Sequence, residues 1–65
     1  MVKFAIVLIK NGKVHWYKKG YGTLHLANVE KEEMELMDAE NGGNYEVVPE
    51  RKLDILPMDE NVERN

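Results

Sequence analysis

"FAIVLIKNGKVHWYKKG", residues 4–20, places two runs of β-branched and aromatic residues on either side of Asn11-Gly12. An Asn-Gly pair in that setting predicts a two-residue hairpin with a type I′ turn, whose central positions both need φ above zero. The turn then sets the pairing outward: Lys10 opposite Lys13, Ile9 opposite Val14, Leu8 opposite His15, Val7 opposite Trp16, Ile6 opposite Tyr17 and Phe4 opposite Lys19. Because side chains alternate along a strand, the pairs sort into two faces. Val2, Phe4, Ile6, Leu8, His15 and Tyr17 are expected on one. Ala5, Val7, Ile9, Val14 and Trp16 are expected on the other, and both faces are apolar at their centres.

Beyond the hairpin, Gly20-Tyr21-Gly22 reads as the end of the second strand and "TLHLA" as a short extended segment. Asn28 is a candidate N-cap, glutamates follow where a helix dipole favours them, and "NGG" at 41–43 supplies a stop, so the predicted helix spans Val29 to Glu40. Its wheel carries Val29, Leu36 and Ala39 on one apolar stripe and Met34 and Met37 on another, with Glu33 and Glu40 between them. "NYEVV" reads as a third strand ended by Pro49, and "KLDIL" as a fourth strand or a docked extended segment before Pro57. These elements predict one α+β domain over residues 1–57, a small two-layer β-β-α-β sandwich in which one helix covers one face of an antiparallel sheet. Residues 58–65, mostly acidic and amide-bearing, are expected to form a disordered tail.

A single helix of that length leaves one sheet face bare. Val7, Ile9, Val14 and Trp16 are therefore the expected dimer or partner interface. Chain length argues the same way, since 65 residues without disulfides commonly gain stability by oligomerising, and a homodimer is expected. The absence of cysteine excludes thiolate metal sites and fits a reducing compartment, with a cytoplasmic location expected. The apolar run Phe4 to Ile9 is too short for a signal-peptide core or a membrane span, so no membrane association is expected.

Charge is divided along the chain. Residues 1–29 carry five lysines and no acid, whereas all twelve acids lie in residues 30–65. Enzymatic chemistry has little to draw on. There is no serine or cysteine, Thr23 has no activating neighbours in sequence, and His15 and His25 match no metal-ligand spacing. The glycines form no phosphate-cradling pattern, and no cofactor is expected. Two binding surfaces remain. Lys13, Lys18, Lys19 and Tyr21, with the other aromatics of residues 10–25, could contact a nucleic acid by stacking and phosphate pairing. Against this, Trp16 and Tyr17 fall on opposite faces and the acidic half repels phosphate. The acidic helix, with Val29, Glu30, Glu32, Glu33, Met34, Glu35, Met37 and Asp38, could instead present carboxylates and adaptable methionines to a protein target, its charges imitating phosphates.

The order of a strand, a tight glycine turn, "GKVHWYKKG", then "LHLANVE" leading into an acidic helix and a last strand resembles small phage-encoded inhibitors. In layout it is similar to the dimeric, DNA-mimicking inhibitors of uracil-DNA glycosylase. That resemblance implies a non-enzymatic protein that blocks a host protein in the host cytoplasm, with Val29 in the place of the larger apolar anchor that the family carries. The expected function is thus a protein-binding module of inhibitor type. The alternatives are a nucleic-acid-binding module built on the basic hairpin and an assembly subunit of a larger particle.

Overall fold

In a computed structural model of the chain, residues 2–38 and 44–64 are described. Strand β1, Phe4–Lys10, and strand β2, Lys13–Tyr21, form the expected hairpin. Asn11 and Gly12 have φ of 53° and 77°, the positive pair that a type I′ turn requires. Helix α1 covers Leu24–Met37, β3 covers Asn44–Pro49, a 3₁₀ turn covers Glu50–Asp54, and β4 covers Met58–Arg64. The result is an α+β domain with a four-stranded mixed sheet in the order β3-β1-β2-β4.

Next to the turn the register is as expected, with Lys10 opposite Lys13 and Ile9 opposite Val14. One residue further it slips. Leu8 pairs with Trp16 and Val7 with Tyr17, because His15 is an extra residue bulged out of β2. A one-residue slip exchanges the faces of everything beyond it. Trp16 therefore lies beside Leu8 and Ile6, and Tyr17 lies beside Val7, the reverse of the alternation expected from an unbroken ladder.

A second bulge falls at Gly20, where Ala5 pairs with Lys19 but Phe4 pairs with Tyr21. The strand continues through Gly20 instead of ending there. Gly20 has φ of 102°, and its N–H, out of the β1 ladder, donates to Glu50 Oε2 at 2.8 Å. A Cβ at this position would meet no atom within 4 Å. The cost of Gly20→Ala is thus backbone strain alone, roughly 1–2 kcal/mol, measurable as a lower midpoint in urea with an unchanged slope.

The helix begins five residues before the predicted start at Val29. Thr23 is the N-cap, its Oγ1 accepting from Leu26 N at 3.1 Å, and Asn28 lies inside the helix on its exposed side. Leu24, Leu26 and Ala27 are good helix formers, so the earlier cap is the one that propensity supports. The helix ends at Met37 with Asp38 as C-cap. The expected stop at Asn41-Gly42-Gly43 and the last helical residues Ala39 and Glu40 lie outside the described residues.

β3 is antiparallel to β1, and β4 is parallel to β2, so the sheet is mixed where an antiparallel one was expected. Two connections must cross it. Helix α1 carries the chain from β2 to β3 over the face of Ile6, Leu8, Trp16 and Tyr45. The segment 50–57 carries it from β3 to β4 on the opposite face, where Glu50, Arg51, Leu53 and Asp54 line a cavity with Tyr17 and Lys19. "KLDIL" is thus neither a strand nor a bare extended run, since it begins within the 3₁₀ turn and forms part of this crossing. The tail expected to be disordered is edge strand β4 through Arg64, anchored at its start by Val14 N donating to Pro57 O at 2.8 Å.

The core consists of Ala5, Ile6, Val7, Val14 and Ala27. Val7 and Val14, expected at a dimer interface, are 0% and 1% exposed within one chain. Ile9 and Trp16 are half-buried. Two of the four residues expected at a dimer interface are thus already buried within one chain. Among the described residues, no helix is long and apolar enough to cross a membrane.

Candidate functional site

The helix faces the sheet with its less apolar side. Ala27 is fully buried, Glu30, Lys31, Met34 and Asp38 are half-buried, and Lys31 pairs with Glu35 at 3.2 Å. Ala27 has no side chain beyond Cβ, which lets the helix approach the sheet closely. The long stems of Lys31 and Met34 fill the space further along.

The opposite side of α1 is an apolar stripe turned to solvent. Leu26 is 53% exposed, Val29 41%, Leu36 81% and Met37 89%. The spacing from Leu26 to Val29 to Glu33 to Leu36 is alternately three and four residues, which places these four on one side of the helix. Glu33 lies on the stripe, and Glu32 and Glu35 are exposed beside it. Of the predicted target-binding residues, Val29, Glu33 and Met37 lie on this outer side, Glu32 and Glu35 border it, and Glu30, Met34 and Asp38 turn toward the sheet. Leu26 and Leu36 belong to the stripe although the sequence reading did not place them at a binding surface.

The basic hairpin is not one surface. Lys18 Nζ lies 5.9 Å from the Tyr21 ring centroid on the helix side of the sheet. Lys19 pairs with Ala5 on the other face, and Lys13 flanks the turn. The three lysines and the two aromatics Trp16 and Tyr17 therefore divide between faces, and no continuous stacking track forms.

At the C-terminal end of α1 a cleft of about 410 Å3 opens on the helix side of the sheet. Its floor is Leu8, flanked on β1's two sides by Trp16 of β2 and Tyr45 of β3. The two rings meet edge to face, with centroids 6.3 Å apart and planes at 83°. Tyr45 donates its hydroxyl hydrogen to Asp38 Oδ2 at 2.5 Å. Across the cleft, the bulged His15 brings Nδ1 to 3.7 Å from Asp59 Oδ2 of β4. Neither Tyr45 nor Asp59 was a sequence candidate, because only the order of all four strands brings them to Trp16.

Burial, then the hydrogen bond to Asp38, then the charge of that carboxylate push Tyr45 up from 10.0 to about 12. The folded state keeps the phenolic proton after the unfolded chain has released it. This linkage is fully stabilising below pH 10 and is lost as pH rises from about 10 to about 12. Spectroscopic titration of tyrosinate is expected to show a late ionisation step that Tyr45→Phe removes.

Among the described residues, no group of three or more histidine, aspartate or glutamate side chains is placed to hold a metal ion. Compared with protein-family models, curated proteins and solved structures, the chain matches none.

Proposed function

We propose that this protein is a non-enzymatic protein-binding module that docks a partner on the outer side of α1. The observation that carries this reading is the solvent-facing stripe of Leu26, Val29, Leu36 and Met37 on a helix whose other side already rests on the sheet. Exposed apolar groups in such an arrangement gain free energy when covered, and Met37 adapts to uneven surfaces.

The occupant is a protein surface with an apolar centre and a basic border. Glu32, Glu33 and Glu35 lie on or beside the stripe, so they select lysine and arginine and disfavour a second α1 laid against the first. A nucleic-acid-binding cleft on an enzyme has this chemistry, which keeps the inhibitor mode of action within the proposal. The acids then provide attraction and orientation, and the apolar groups provide the anchor.

The test pairs capture with titration. A protein retained from lysate by the immobilised wild type is purified and titrated against wild type and Leu26→Lys. Supporting results are binding that weakens with rising salt and is lost in the variant. Equal binding of both proteins, or sedimentation showing that the stripe is covered by a second copy, would overturn the proposal.

A further inference from the structure

We propose that the cleft between Trp16 and Tyr45 binds an ammonium or guanidinium group. Two aromatic rings line one cleft and stand nearly perpendicular, 6.3 Å between centroids, over the apolar floor of Leu8. A cation within about 6 Å of an aromatic centroid is attracted by the ring quadrupole, and the attraction grows as water is displaced.

The border of the cleft adds charge of the matching sign. Among the described residues, Asp38 and Asp59 contribute two carboxylates to the lining, the second 3.7 Å from His15 Nδ1. Asp38 accepts the Tyr45 hydroxyl hydrogen, which engages the phenol's one donor and restrains the ring. Asn61 also lines the cleft, and an amide side chain has a carbonyl able to accept from an N–H donor. A volume of about 410 Å3 accommodates a methylated ammonium or a guanidinium with part of its stem.

The cation could come from a lysine or arginine side chain of the docked protein or from a free small amine. Only the first source rests on the proposed docking at α1. Asp38 directly follows Met37 of the stripe but turns toward the sheet, so only a partner that also wraps the end of α1 would place a side chain in the cleft.

Trp16 is the chain's single tryptophan and reports on the cleft directly. Its fluorescence is titrated with tetramethylammonium, N-acetyl-lysine amide, its trimethylated form and N-acetyl-arginine amide, with sodium chloride at matched ionic strength. A saturable change with at least one organic cation and none with sodium is expected. Asp59→Asn, which removes a charge and almost no volume, weakens that binding about threefold. Tyr45→Leu weakens it about tenfold. Tighter binding of an amino-acid amide assigns the source to a side chain, and tighter binding of tetramethylammonium assigns it to a free amine; either supports the site. Leu36→Ser with Met37→Ser leaves these affinities unchanged, so failure of docking at the stripe and failure of the cleft are separable. No saturable change with any cation, or equal affinity in wild type and Asp59→Asn, would overturn the proposal.

Discussion

Val7→Ala lowers the unfolding free energy by about 2–3 kcal/mol, from the loss of buried methyl groups together with the cavity left behind. That is a large share of the total, since a chain of this length is expected to have only about 3–10 kcal/mol of stability. The effect follows from position. Val7 sits on the central strand β1, is 0% exposed, and lies between Tyr17 of β2 and Glu46 of β3. Its burial is complete within a single chain. The midpoint of chemical unfolding is therefore expected to fall equally at every protein concentration, and the wild-type midpoint is expected to be independent of concentration. A residue at a dimer interface behaves differently, because its loss shifts a concentration-dependent equilibrium. Unfolding followed over a hundredfold range of concentration separates the two. A rise in the wild-type midpoint with concentration that Val7→Ala abolishes would return Val7 to an interface.

The same residue shows where sequence reading of this fold succeeds and where it stops. Asn11-Gly12 carries a strong local signal, and the turn with its first two pairs follows from it. The bulge at His15 leaves no such mark, because this residue does not have the positive φ that selects glycine. Beyond it Trp16 and Tyr17 exchange faces, and with them the assignment of core and interface. Gly20 marks the second bulge visibly, but a glycine in a strand signals a bulge or an end equally well.

β4 was hidden for a different reason. "MDENVER" shows little apolar alternation because an edge strand pairs on one side only, and its hydrogen bonds come from the backbone irrespective of side chain. The helix posed a third difficulty. Its hydrophobicity is spread around the wheel, and the side that meets the sheet contains Ala27 and Lys31 while the more apolar side faces water. Amphipathic pattern alone orients a helix with its richest stripe inward. Here the strand order and the short connections hold α1 the other way round, and the conflict between local pattern and global fold falls on the surface proposed for binding.

Replacing Leu36 and Met37 together by serine tests that conflict directly, and the expected outcome is a dissociation between stability and binding. At 81% and 89% exposed, the two side chains are close to fully hydrated in the isolated chain. Serine costs some helix propensity at each position, a few tenths of a kcal/mol, and removes little packing, so the double variant is expected to unfold within about 1 kcal/mol of the wild type. Binding changes far more. Covering a leucine and a methionine contributes about 1.5–3 kcal/mol each, so a partner that buries both loses on the order of a hundredfold or more in affinity. Most of that loss is expected in the dissociation rate, because the acids that steer approach are untouched. Replacing Glu32 and Glu35 by glutamine gives the complementary result, slower association with a weaker salt dependence and little change in dissociation. A double serine variant that binds as the wild type does would show that the outer side of α1 is not the docking surface. A variant that unfolds readily would show that this side is packed in the native state, contrary to its exposure in the isolated chain.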